Sequence, residues 1–267
     1  MNKLHPLNKN FSWQDRPLSN LRILNEKQVT RFNQSGCCIL EKVVSQQTIQ
    51  EILTVIDPLE QVGGGSELLD TKGEKLASYK ADELTFTCNL VTSSNYLAEF
   101  YRSKLFANIT HDLIGDNCRL YWDQAVYKHP QKGGKFPYHQ DNGYTFVRPQ
   151  SYLTCWLALS DAPIKAGCPW VIPGAHLAGT YSHAKKSLGL EIEGIDDLIK
   201  QYGEIPAPVT AGDMVIFSSL TPHKTGPNLC DYTRKALIIQ FIADGAVRVT
   251  DKGDEKLNDR LLHQAVI

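Results

Sequence analysis

From Arg119 onward the chain is cut into short apolar segments rich in β-branched and aromatic residues, with Gly and Pro in the gaps. Leu120–Tyr127, Tyr152–Leu159, Pro169–Ile172, Met214–Ser218 and Lys235–Ile242 are the clearest of them. Short strands at such spacing, with turn residues between, indicate a sandwich or a barrel. The part before Arg119 has another texture. Val29 and Phe32 follow Asn25 at helical spacing up to Gly36, and Asn25 is placed to cap that helix. Cys38-Ile39-Leu40 reads as a short buried strand. Ile49, Ile52, Leu53, Ile56 and Leu59 then recur in steps of three and four, the period of an amphipathic helix over Ser45–Leu59. Gly63-Gly64-Gly65-Ser66 breaks it. Tyr96 through Leu113 supplies one or two more helices, and Glu191–Tyr202 reads as a helical insertion between strands.

The expected organisation is a single domain over residues 1–267. An N-terminal arm (1–20) leads into a mostly helical part (21–117), then a β core (118–245) with its helical insertion near 191–202, and a C-terminal tail (246–267). All-β sandwiches and barrels of this length often form one domain.

Bulk properties narrow the partners. The net charge is −1 and the pI about 6.7, so there is no basic surplus to bind nucleic acid or an anionic membrane. No stretch approaches transmembrane length, and the first residues lack the apolar core of a signal peptide. The seven cysteines are Cys37, Cys38, Cys88, Cys118, Cys155, Cys168 and Cys230. An odd number without a CxxC pair reads as reduced thiols in a cytosol-like compartment, so a cytoplasmic protein is expected. The C-terminal Ala265-Val266-Ile267 is not the peroxisomal tripeptide.

Within the β half, His139-Gln140-Asp141 carries the chemistry. In a strand, residues i and i+2 point to the same side, so an imidazole and a carboxylate can address one metal. An iron(II) site of the two-histidine, one-carboxylate type needs one further histidine and keeps its other positions open. His223, between two expected strands, is the best placed. An HxD tripeptide by itself is a weak signal. The remaining histidines read as structural or exposed: His5 and His263 near the termini, His111 in a helical stretch, His183 in a polar loop, and His129 and His176 flanking the motif region without a partner at i+2. Arg234 opens the apolar run Lys235–Ile242. A charge at the start of a core strand is costly unless paired. Its planar fork suits a carboxylate, such as the far one of 2-oxoglutarate, and Thr225 is near enough in sequence to His223 to add a hydroxyl. The bland alternative is a surface arginine at a strand end.

Several segments, in order, resemble the phytanoyl-CoA dioxygenase family. They are Tyr138-His139-Gln140-Asp141-Asn142-Gly143-Tyr144 with Arg148-Pro149, then Leu153–Leu159, then Gly167-Cys168-Pro169-Trp170-Val171-Ile172-Pro173-Gly174-Ala175-His176, then Ala211–Phe217, and finally His223 through Arg234. Ala175 departs from the family pattern, where serine is usual. The resemblance implies a mainly β protein with flanking helices, a double-stranded β-helix of the jelly-roll, cupin-like kind. It implies Fe(II), 2-oxoglutarate and O2 as cofactor and co-substrates. His139, Asp141 and His223 would be the metal ligands, Arg234 and Thr225 the 2-oxoglutarate anchor, and Trp156 and Gln124 part of the same pocket. The reaction implied is hydroxylation of an unactivated C–H bond of a small-molecule metabolite, with release of succinate and CO2. Two rivals remain: a non-catalytic metabolite-binding jelly-roll, and a metal-dependent hydrolase or isomerase on the same fold. Substrate identity and oligomeric state are not legible. Phe136, Tyr144, Arg148, Trp170 and the Gly63–Ser66 loop are candidates for shaping the substrate pocket.

Overall fold

A computed structural model describes residues 3–63, 67–69, 75–78, 80, 82–250, 252–257 and 265–266. The first helix, Glu26–Ser35, starts and stops on local chemistry. The Asn25 side chain accepts from the Gln28 N–H while the Gln28 side chain accepts from the Asn25 N–H, a closed capping box. Gly36 ends the helix in the left-handed region at φ 75°. A Cβ on Gly36 would lie 2.3 Å from Thr221 Oγ1, so glycine also permits the close approach of the loop before His223.

The strand Cys37–Leu40 then enters the major sheet, which has seven strands. It pairs with Met214–Ser218, that strand with Leu153–Ala158, Leu153–Ala158 with Arg234–Ala243, and Arg234–Ala243 with Cys118–Lys128. Their burial is nearly continuous, because one face packs on helices and the other lines the interior of the barrel. The helix Gln46–Gly63 and the helices Asn95–Tyr101 and Lys104–Leu113 cover the outer face through Ile49, Ile52, Ile56, Leu97, Phe106, Ile109 and Leu113. A minor sheet faces the inner side, in the order Ile205–Pro206, Pro169–Val171, His223–Thr225, Phe136–His139. Two facing antiparallel sheets with long crossovers between them make the double-stranded β-helix.

Some elements differ from the sequence expectation. Leu84–Cys88 is a strand paired with Cys118–Lys128, in the part expected to be mostly helical; its Thr85 and Thr87 alternate with Leu84 and Phe86 in the period of a strand. The expected helix over Glu191–Tyr202 starts only at Ile195: Gly189–Ile192 is half of a hairpin with His183–Lys186, and Gly194, at φ 75°, separates it from the helix Ile195–Tyr202. Of the Gly63–Ser66 loop, Gly63 ends the helix and residues 64–66 lie outside the described residues. Among the described residues no helix is long and apolar enough to cross a membrane. All seven cysteines are unpaired thiols, five of them buried.

The segment between the N-terminal arm and the first helix is held by a buried carboxylate. Asp112 accepts from the backbone N–H groups of Arg22 (2.9 Å), Ile23 (3.0 Å) and Leu24 (2.9 Å). Burial works to raise its pKa, but His111 and these three donors outweigh it and hold it below the usual carboxylate value. Asp112→Ala leaves the donors unpaired, so an equilibrium urea titration is expected to show a loss of about 2–4 kcal/mol. A depressed folded pKa contributes stability that is complete above the unfolded value of about 3.9 and is lost as pH falls through the folded one. The variant and the parent are therefore expected to converge in stability only below about pH 3.9.

Candidate metal centre and cosubstrate pocket

His139 is the last residue of the strand Phe136–His139, and His223 is the first of His223–Thr225. The two are directly opposite in the antiparallel register, which brings together residues far apart in the chain. Their ring centroids are 4.2 Å apart. Asp141 is not itself in the strand, as the i, i+2 argument assumed, but opens the helical turn Asp141–Tyr144. Gln140 between them stays extended (φ −113°, ψ 141°), so the same-side relation survives. The turn is forced by Asn142 N–H donating to the Ser219 carbonyl at 3.2 Å and Gly143 N–H to the Gln140 carbonyl at 2.9 Å. Only glycine fits at 143, because a Cβ there would lie 2.3 Å from the His183 ring.

One ligand atom from each of His139, Asp141 and His223 lies within 4.8 Å of the others. Asp141 Oδ1 is 3.8 Å from His139 Nε2 and 3.7 Å from His223 Nε2. Each imidazole is anchored from behind. His139 Nδ1 lies 2.8 Å from the Pro137 carbonyl and His223 Nδ1 lies 2.9 Å from the Thr221 carbonyl. A carbonyl can only accept, so Nδ1 carries the proton and the Nε2 lone pair faces the cluster. Burial, with His223 adding to it, pulls the His139 pKa down to about 3; burial pulls His223 down to about 4. Both rings are neutral at working pH. Burial pushes the Asp141 pKa up, against the lowering effect of His139, Thr154 and Gln240. A cation among the three ligand atoms would reverse that shift. Thr154 Oγ1 donates to Asp141 Oδ2 at 2.5 Å and itself accepts from Gln240 Nε2 at 3.2 Å. Oδ1 is thereby left facing the two imidazoles.

All seven residues named from the sequence line one cavity: His139, Asp141, His223, Arg234, Thr225, Trp156 and Gln124. Its volume, taken as the space the centre of a water molecule can reach, is about 130 Å3, and it opens to solvent. Phe136 and Tyr144 also line it. Trp170 does not; it packs beside Lys224, and Arg148 is exposed and pairs with Asp254. Arg234 is 1% exposed, and its Nε and Nη1 have no hydrogen-bond partner. Its guanidinium carbon sits 5.2 Å from the Trp156 ring centroid. Burial pulls its pKa down to about 9. Two orphaned donors on a buried cation fit a carboxylate, and two neutral imidazoles with one carboxylate fit iron(II).

Sequence reasoning passed over two residues here. His183, assigned to a polar loop, accepts the Gln140 N–H on Nε2 at 3.0 Å and has Nδ1 2.9 Å from the Tyr181 carbonyl, so it buttresses the turn that carries Asp141. Lys128 is a buried lysine at the end of a core strand. His176 is buried away from the cavity, with Nε2 3.1 Å from the Asn33 carbonyl.

A double-stranded β-helix with a histidine-carboxylate cluster between its sheets is the architecture of the non-haem iron oxygenases that use 2-oxoglutarate and O2, and the chain is such an enzyme. The family model for phytanoyl-CoA dioxygenase (PhyH) matches residues 32–236, and the chain belongs to that family. Phytanoyl-CoA dioxygenase domain-containing protein 1 of Rattus norvegicus is 30% identical over 256 residues, covering 80% of this chain and 88% of that protein. Methylphosphonate hydroxylase of Gimesia maris is 27% identical over 243 residues, 87% of each chain. Among solved structures, EvdO2 from Micromonospora carbonacea, complexed with 2-oxoglutarate, superposes with a TM-score of 0.66 at 23% identity, over 86% of this chain and 95% of that one.

Proposed function

We propose that His139, Asp141 and His223 hold the iron, that Arg234 with Thr225 holds the far carboxylate of 2-oxoglutarate, and that the enzyme, acting as one domain, hydroxylates a C–H bond of a small-molecule metabolite. The observation that carries this is the pairing of a neutral, Nε2-facing histidine pair and a carboxylate with a buried arginine whose Nε and Nη1 lack partners in the same cavity. When bound, iron and 2-oxoglutarate together supply the oxidising power, with succinate and CO2 as by-products. The chain's residues do the rest. Pro137 and Thr221 fix the tautomer of the two imidazoles, and Thr154 turns Asp141 so that Oδ1 faces them. Trp156, whose ring centroid lies 5.2 Å from the guanidinium carbon, keeps water from the arginine and so strengthens its hold on an anion. Trp156 and Gln124 complete the wall of the cosubstrate end, with Gln124 Oε1 fixed by Trp122 Nε1 at 3.1 Å.

The rest of the cavity wall includes Tyr121, Trp122, Thr145, Tyr152 and Gln240; Arg234 is the only Lys or Arg among the described lining residues. With Arg234 committed to 2-oxoglutarate, that region suits a weakly charged polar molecule better than a phosphonate dianion, which would find no cationic side chain there. Screening metabolites, methylphosphonate included, for stimulation of succinate release tests the reading. Coupled release with an uncharged or zwitterionic polar compound is expected. A protein that binds 2-oxoglutarate and never forms succinate would favour a binding role, and hydrolysis or isomerisation without 2-oxoglutarate would favour the other rival.

Thr154 gives a smaller test. Thr154→Val keeps the shape and removes the hydroxyl that holds Asp141 Oδ2. Loss of such an outer hydrogen bond typically weakens metal affinity about 10- to 100-fold. A competition titration with a ferrous chelator is expected to show that loss without a change in chain helicity by circular dichroism.

A further inference from the structure

Lys128 ends the strand Cys118–Lys128 directly across from Arg234. Cross-strand partners project to one face with Cβ atoms about 4.5–5.5 Å apart, and like charges so placed repel. Each residue is 1% exposed, so solvent screens the repulsion poorly. Among the described residues no carboxylate answers either charge; the groups that act on them are Cys168 and, for the lysine, Arg234 itself.

The lysine is nevertheless tightly held. Nζ donates to the carbonyls of Gly134 at 2.9 Å, Gly226 at 2.5 Å and Thr225 at 3.4 Å. Three acceptors call for three N–H donors, which the ammonium has and the neutral amine lacks. Burial and the neighbouring Arg234 push the Lys128 pKa well below its usual value. A charge that the carbonyls require and the surroundings oppose is stabilised by an anion bound nearby. The three carbonyls lie just before Phe136–His139 and at the end of His223–Thr225, so the lysine also ties the major sheet to the two strands that carry the histidines.

We propose that Lys128 is a positioning residue, a second buried cation behind Arg234 that favours a dianionic keto acid over a monoanionic one without touching it. This rests on the reading of Arg234 as the carboxylate anchor. Its charge acts through space on the far carboxylate, whose partner is Arg234.

The test compares two ligands that differ only at that end: N-oxalylglycine, with a terminal carboxylate, and N-oxalylglycinamide, with a neutral amide. Their Kd values are measured by calorimetry on the ferrous protein under argon. In Lys128→Met, N-oxalylglycine is expected to weaken about 10- to 100-fold, the effect of one unit charge a few ångströms beyond contact at an effective dielectric of about 20. N-Oxalylglycinamide is expected to change less than about threefold on the same Coulomb argument. Equal weakening of both ligands marks a purely structural lysine and overturns the proposal. Because Lys128→Met also strips three carbonyls of their donor, Arg234→Ala supplies an arm with Lys128 in place. There the overall affinity for N-oxalylglycine falls, yet a preference of at least about 10-fold for the dianion persists. Lost affinity with no remaining preference overturns the lysine's part alone. Undiminished affinity in Arg234→Ala overturns the anchor and the lysine's part together.

Discussion

His223→Ala is expected to lose ferrous iron by at least about 100-fold in affinity, and with it all turnover of 2-oxoglutarate. An outer hydrogen bond alone accounts for about 10- to 100-fold, so loss of a ligand sets that as a lower bound. The residue is 7% exposed, and the ring's Nδ1 is engaged with the Thr221 carbonyl, so little else is free to move into the vacated position. Water would have to supply the missing donor, without the fixed geometry that the strand register imposes. His139→Ala is expected to behave in the same way, since the two rings are equivalent across the ladder. Iron per chain, measured after gel filtration in parent and variants, checks this. Unchanged iron in both variants would remove the proposed triad.

Arg234→Ala is expected to spare iron and raise the Kd of 2-oxoglutarate by about 30- to 1,000-fold, the equivalent of losing about 2–4 kcal/mol from a charge-assisted, two-pronged contact. The size follows from burial. A guanidinium at 1% exposure with Nε and Nη1 unpaired is fully desolvated before the ligand arrives, so the carboxylate regains what water would otherwise supply. Arg234→Lys is expected to recover only part of the affinity, because an ammonium lacks the planar fork and the face that stacks near Trp156. Calorimetric titration of the ferrous protein under argon separates the two variants. An unaltered Kd in Arg234→Ala would place the anchor elsewhere.

Much of the fold was legible because its signals are local. Met214–Ser218 has the bounds expected from its β-branched run, and Asn25 and Gly36 frame the first helix by capping chemistry. Leu84–Cys88 was missed because a short threonine-rich strand flanked by polar residues acquires its meaning only from pairing with Cys118–Lys128. At the site, Arg234 stood out because a charge at the mouth of a core strand needs a reason. His139 and His223 were named separately, but their opposition across one ladder is a property of the minor sheet and has no local signature. His183 and Lys128 were hidden for the same cause. A histidine among polar residues and a lysine ending a strand both look exposed, and only the folded chain shows the first against Gln140 and the second sealed by three carbonyls.

The most direct measurement is a crystal structure of the anaerobic protein with iron and N-oxalylglycine, using anomalous scattering at the iron edge. One iron peak is expected about 2.1 Å from His139 Nε2, His223 Nε2 and an Asp141 oxygen, bond lengths usual for imidazole and carboxylate on a divalent metal. The far carboxylate is expected on the Arg234 guanidinium, within hydrogen-bonding distance of Nε and an Nη. An iron peak away from these three residues, or a carboxylate held by another cation while Arg234 stays unpaired, would contradict the account.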